Sequence, residues 1–264
     1  MPYRVVGSFQ TFTASATSQD ASFPATYVNS YPYAPFRIWK SGSGGQQDFT
    51  IDVGSGQQVN SLFATPAIFL DNLNVSSLLI QAHTALGSWD APAWQVGVGI
   101  QTELYTGQKR FAAKFSDLAP NSAMSFRYVN LRISSQVPSS GTVYQIGTLL
   151  LGTGPDLSAD PLYPVERKLM HPILANDYPD GGREVLSMGA ARLEFSIPTV
   201  AVDSSELRGL LAIDRMGMHK PFVIWDATTS GTADAWLVRR TQPRAWTEQF
   251  LTQYQGAWTL EEVV

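Results

Sequence analysis

Apolar and polar positions alternate in short stretches through the N-terminal part of the chain. Phe49, Ile51 and Val53 alternate with Thr50 and Asp52 and stop at Gly54. Trp94, Val96, Val98 and Ile100 alternate with Gln95, Gly97 and Gly99, and Val129, Leu131 and Ile133 alternate with Asn130 and Arg132. A period of two puts each apolar set on one face of a strand. Short strands parted by Gly, Ser and Asn turns predict a β-sandwich. No long amphipathic helix interrupts residues 1–155. Residues 62–70 are nearly continuous apolar sequence, as a strand buried on both faces would be, with Pro66 at an edge or bulge.

Beyond residue 155 the pattern is mixed. Arg192 to Ile197 alternates and predicts a strand. Asp203 and Glu206 form a capping-box-like pair ahead of Leu207, Leu210 and Leu211, and Gly217 supplies a stop, so a helix is predicted over 204–216. Strands at Pro221–Trp225, Ala235–Val238 and Ala257–Leu260 follow. The predicted order is strand, helix, then three strands.

Charge separates the same two parts. Residues 1–155 carry 8 Lys/Arg and 7 Asp/Glu, whereas residues 156–264 carry 10 and 15. Between them Gly152 to Pro164 holds three prolines and two glycines, which reads as an extended linker. The division falls near 155, giving domains 1–155 and 156–264. The first has a surface of Ser, Thr, Gln, Asn and Gly, suited to protein contacts as well as to water.

Composition narrows the chemistry. The 264 residues include no cysteine, which excludes disulfide scaffolds, zinc ribbons, iron–sulfur clusters and thiol catalysis. A net charge of -4 argues against a nucleic-acid partner held by phosphate contacts. No run of 18 apolar residues occurs, so no membrane insertion is expected, and Met1 to Arg4 lacks the start of a secretory signal. The three histidines, His83, His171 and His219, are far apart in sequence and form no zinc motif. Neither a G-x-S-x-G elbow nor a phosphate-binding glycine loop ahead of a helix is present. No spacing singles out a carboxylate pair for glycoside cleavage. The expectation is therefore no catalytic residue, no cofactor and no metal.

Several short motifs come in a telling order: Phe36 to Ser41, Phe49 to Gly54, Val59 to Ala64, Leu70 to Val75, Phe126 to Ile133 and Tyr144 to Gly152. Together they resemble the discoidin, or galactose-binding-like, jelly roll over about residues 25–153, and the Asn-Leu-Asn turn resembles versions in bacteriophage tail proteins. Trp39 is expected to cap the sandwich core while its indole N–H finds a carbonyl. Gly54 is expected to turn with positive φ, and Arg132 to pair with a carboxylate such as Asp52. The second part is similar, more weakly, to the small β-plus-helix domains of phage tail-tip and tail-tube proteins, best at Gly217 to Ile224 and at the acidic strand Thr259 to Val263.

The fold class implied is mainly β: a galactose-binding-like sandwich followed by a smaller β-rich domain with one helix. The function implied is a structural subunit of a phage tail tip or baseplate, located in the virion and made in the host cytoplasm. Its partners would be other tail proteins, further copies of itself in a ring, and a host-surface glycan. The alternatives are a stand-alone carbohydrate-binding module and a glycan-cleaving enzyme. One loop gathers candidate contacts: Ala82 to Trp94 joins two strands and carries His83, Trp89, Asp90 and Trp94. Flat aromatic faces stack on sugar C–H bonds while a carboxylate reads hydroxyls, and exposed Trp can equally anchor a protein interface.

Overall fold

The computed structural model describes residues 3–29, 38–54, 59–60, 67–87, 89–103, 107–118, 125–139, 141–154, 166–170, 173–177, 183–187, 192–201, 204–218, 220–226, 234–243, 246–250 and 253–263. In chain order the first elements are β1 (Tyr3–Val6), β2 (Ser8–Phe9), β3 (Thr13–Ala16), β4 (Trp39–Lys40), β5 (Gln47–Asp52), β6 (Val59–Asn60), β7 (Ala67–Leu73) and β8 (Ser77–His83). There follow β9 (Trp94–Gly99), β10 (Gln101–Thr102), β11 (Lys109–Lys114), α1 (Phe115–Leu118), β12 (Ser125–Phe126), β13 (Tyr128–Ile133), β14 (Gln145–Ile146) and β15 (Thr148–Thr153). The remainder comprises β16 (Glu166–Met170), β17 (Ile173–Asp177), β18 (Arg183–Ser187), β19 (Arg192–Ala201), α2 (Ser204–Arg215), β20 (Phe222–Asp226), β21 (Ala235–Arg240), β22 (Trp246–Phe250) and β23 (Gln253–Glu262).

These residues form two compact units, one of residues 1–157 with 222–236 and one of residues 158–221 with 237–264. The first is an antiparallel β-sandwich. One sheet runs β3-β5-β13-β8-β9 and the other β10-β11-β7-β15-β2. Phe49, Ile51, Val129, Leu131 and Ile80 from the first sheet meet Ile68, Leu70, Phe111, Leu149 and Leu151 from the second in one core. At about 25 cal/mol per Å² of apolar surface removed from water, this core is the main term holding the unit together. Central β7 is buried along nearly its whole length, because both faces of its sheet are covered. Residues 61–66, Pro66 among them, lie outside the described residues.

Residues 222–236, which a division at 155 leaves with the second part, belong with the first unit. β20 pairs antiparallel with β1, Val5 opposite Ile224, and Arg110 Nη1 donates to the Ala235 carbonyl at 3.5 Å. Pairing between strands more than 200 residues apart leaves no trace in local composition.

In the second unit, β16, β19, β23 and residues 237–240 of β21 lie side by side. α2 buries Leu210 and Ile213 on one face, as the 3.6-residue period requires. Gly217, at φ 91°, ends the helix. Asp203 lies outside the described residues, so the capping pair does too. Asp214 fixes the helix to the sheet, accepting from Arg240 Nη1 at 2.9 Å and Trp258 Nε1 at 3.2 Å. Four strands rather than three follow α2, since β22 pairs with β23. Strands β16, β17 and β18 were also unsignalled; β16, Glu-Arg-Lys-Leu-Met, has no alternation to read. No helix among the described residues is long and apolar enough to cross a membrane.

Two side-chain expectations are corrected. Trp39 is fully buried with its ring edge-on to Phe49 at 5.1 Å, but its indole N–H meets no carbonyl among the described residues. Arg132 pairs with Asp48, not Asp52, because the β13–β5 register sets Arg132 directly opposite Asp48 and Tyr128 opposite Asp52. Gly54 turns as expected, at φ 89°.

Candidate functional site

The face of sheet β3-β5-β13-β8-β9 that points away from the core carries a polar row. Ser15, Thr50, Asn130, Gln81 and Gln95 sit opposite one another on successive strands. Buried amides must be paired or cost several kcal/mol, and here the pairing is complete. Asn130 Nδ2 donates to Asp48 Oδ1 at 2.7 Å and to Gln81 Oε1 at 2.9 Å, while its Oδ1 accepts from the Thr50 hydroxyl at 3.3 Å. Gln81 Nε2 in turn donates to the Trp89 carbonyl at 2.7 Å and to Gln95 Oε1 at 3.3 Å.

That last step fastens the β8–β9 loop over the sheet. Trp89 is only 8% exposed. One residue on, Asp90 Oδ1 accepts from Arg132 Nη1 at 3.2 Å with its carboxylate 97% exposed. Arg132 is itself anchored by two bonds to Asp48, at 2.7 Å from Nε and 3.1 Å from Nη2. The hydrogen bonds to Asp48, and to a smaller extent the Asp90 contacts, raise the pKa of the Arg132 guanidinium. The loop thus sets one exposed carboxylate beside the Arg132 guanidinium of β13, which Asp48 holds from below.

A second row crosses the sheet at the Tyr128 end of β13, two residues from Asn130 on the side away from Arg132. His83 and Asp52 flank Tyr128 in register. Arg127 sits 4.9 Å over the Tyr128 ring and binds Asp52 with two bonds, at 2.8 and 2.9 Å. The Arg127 hydrogen bond, assisted by the Gly54 N–H, holds the Asp52 carboxyl below its ordinary range against the opposing effect of burial. His83 Nδ1 accepts from the Ala85 N–H at 2.8 Å, which caps the first turn of the loop.

The four loop residues singled out from sequence therefore have different placements. Asp90 is open to solvent and His83 is half-buried at the loop's base. Trp89 is buried. Trp94 is half-buried on the opposite, core-facing side, stacked on Phe126 and edge-on to Phe115, each at 6.3 Å. Sequence reasoning missed Gln81, Asn130, Asp48 and the Arg127–Asp52 pair. Alternation puts these side chains on one face, yet only the register brings them together. His171 and His219 lie outside the described residues, and among the described residues no cluster of three metal-ligating side chains occurs.

With the amide row buried and paired, it is the exposed Asp90 carboxylate and the partly exposed Arg132 guanidinium that can accept from and donate to hydroxyl groups. The acids Asp48 and Asp52 are each matched by an arginine.

No protein-family model matches the chain, and no curated protein does. Solved structures with some likeness include a chain from the crystal structure of reduced XRCC1 bound to the DNA polymerase β catalytic domain, at 10% identity and TM-score 0.39, covering 59% of this chain and 100% of that one. A chain from the Streptococcus pneumoniae β-galactosidase BgaA gives 11% identity and TM-score 0.37, covering 57% of this chain and 98% of that one. The family 32 carbohydrate-binding module of C. perfringens NanJ, solved with galactose, gives 15% identity and TM-score 0.37, covering 56% and 98%. Likeness at this level leaves the chemistry to be read from this chain's own residues.

Proposed function

We propose that the first unit is a carbohydrate-recognition module that binds without turning its ligand over. The observation that carries this reading is the loop fastened at the Trp89 carbonyl, which sets the exposed Asp90 carboxylate beside the Arg132 guanidinium. A carboxylate accepts from two sugar hydroxyls and a guanidinium donates to a third oxygen, and the Arg132 guanidinium, anchored by two bonds to Asp48, loses little entropy on binding. Asp52, whose carboxyl Arg127 holds below its ordinary range, is not set up as a general acid, which near neutral pH needs a raised pKa. The discoidin-like order of motifs points to the same class.

Glycan-array screening followed by titration calorimetry tests the reading. Asp90→Ala is expected to weaken the best saccharide by about tenfold to a hundredfold, the worth of a charged hydrogen bond, with the melting temperature unchanged. Absence of any saccharide ligand, or an Asp90→Ala variant that binds as well as the wild type, refutes it.

A second reading, as a subunit of a phage tail tip or baseplate, draws support from the second unit. There β16 is exposed along most of its length, with Leu169 open to solvent, and Leu186 on the β17–β18 hairpin is exposed as well. Co-purification with neighbouring tail proteins in a defined complex would favour it.

A further inference from the structure

Among the described residues, one long sheet edge of the sandwich is unguarded. β9 pairs with β8 on one side only, from Trp94 opposite Ala82 to Gly99 opposite Ser77, and no described strand lies on its other side. The Ile100 N–H donates to the Ser76 carbonyl at 2.8 Å. In an antiparallel ladder this fixes the phase: Trp94, Val96 and Val98 direct their backbone groups toward β8. The N–H and C=O groups of Gln95, Gly97 and Gly99 must then point out of the sheet edge. All three residues are exposed.

Natural edges are protected by charge, proline, a bulge or brevity. Edge strand β16 shows the first device, with exposed Glu166, Arg167 and Lys168, and β10 the last, with two residues. β9 has neither. Its six residues include no charge and no proline, and its register with β8 is unbroken. Its core-facing Trp94, Val96 and Val98 are also only half-buried, with no described strand covering them on the edge side.

From this geometry we infer that β9 pairs antiparallel with β9 of a second copy of the chain, making one sheet continuous across a two-fold axis. The occupant follows from register. With Gly97 on the axis, Gly97 faces its own copy, Gln95 faces Gly99, and every outward N–H and C=O finds its complement, as an isologous contact requires. On the core side Val96 then meets Val98 and Trp94 meets Ile100, which covers the half-buried apolar row. On the outer side each Gln95 side chain lies over a glycine, and neither Gly97 nor Gly99 has an atom within 4 Å of where a Cβ would stand, so the space is open. A strand with no charge meets its copy with no like-charge repulsion.

The test is the mass of the full-length chain in solution by sedimentation velocity, from nanomolar to near-millimolar concentration, with amide exchange at Gln95, Gly97 and Gly99 followed in parallel. The wild type is expected to become dimeric as concentration rises, with exchange at those three amides slowing as it does. Gly97→Lys puts two ammonium groups face to face on the axis and is expected to abolish the dimer, as is Gly97→Glu; the two variants mixed are expected to form it again. Gly97→Pro removes the central outward N–H, leaves the β8 ladder intact, and serves as a second route to the monomer. A wild type that stays monomeric throughout, or a dimer indifferent to all these changes, overturns the inference. The outcome is independent of whether the chain binds a saccharide.

Discussion

Replacing Gln81 with leucine tests what holds the β8–β9 loop. Gln81 is 1% exposed, and leucine has nearly its volume, so no cavity forms and the effect is polar. Two buried bonds vanish: the donor to the Trp89 carbonyl at 2.7 Å and the acceptor for Asn130 Nδ2 at 2.9 Å. The third, to Gln95 at 3.3 Å, is partly in water and contributes little. Each buried neutral bond is worth about 1 kcal/mol net, and an orphaned partner costs about 1–3 kcal/mol. Asn130 keeps its bond to Asp48, so the Trp89 carbonyl is the main orphan, and the total comes to about 2–4 kcal/mol. A domain stable by about 5–15 kcal/mol survives that loss. Chemical denaturation gives the magnitude, and hydrogen exchange gives the location. Amides of residues 84–93 should exchange much faster in Gln81→Leu than in a control such as Ile80→Val, compared at equal residual stability. If the loop exchanges no faster than in that control, the Gln81 tether is not what orders it, and the preorganised site has lost its basis.

Two further perturbations follow from the ion pairs. Arg110 and Asp71 are joined at 2.8 Å with side chains 1% and 4% exposed; Arg110→Met strands a buried carboxylate and should cost about 3–5 kcal/mol, measured by denaturant unfolding, with Asp71→Asn on top recovering part of the loss. Asp52 has its folded pKa lowered by Arg127, so its contribution is present at neutral pH and is lost as pH falls below about 4. The gap in melting temperature between wild type and Asp52→Asn should therefore close on acidification, and a gap that widens instead contradicts the pairing.

Alternation made β5, β9 and β13 legible, and the leucine spacing with Gly217 made α2 legible almost to the residue. These are local signals, each carried by fewer than a dozen neighbouring positions. What stayed hidden depends on register. Arg132 selects Asp48 over Asp52 because of which residue lies across the strand, and Asn130 and Gln81 read as surface amides until their strands are laid side by side. The loop aromatics illustrate the same limit. Trp94, first residue of an alternating strand, turns inward as its period demands, while the burial of Trp89 rests on a loop path that no periodicity encodes.

The pairing of β1 with β20 bears on the order of events at the ribosome. Val5 and Val6 emerge more than 200 residues before the strand that covers their edge is complete at residue 226. The N-terminal strand must wait, unpaired on that side, while most of the chain is made. A polypeptide cut after residue 157 would keep both sheets of the sandwich and still lack that neighbour, so its leading strand would be sticky. Expression of the first unit alone calls for residues 222–236 to be carried along, for instance by a short tether to the new C-terminus.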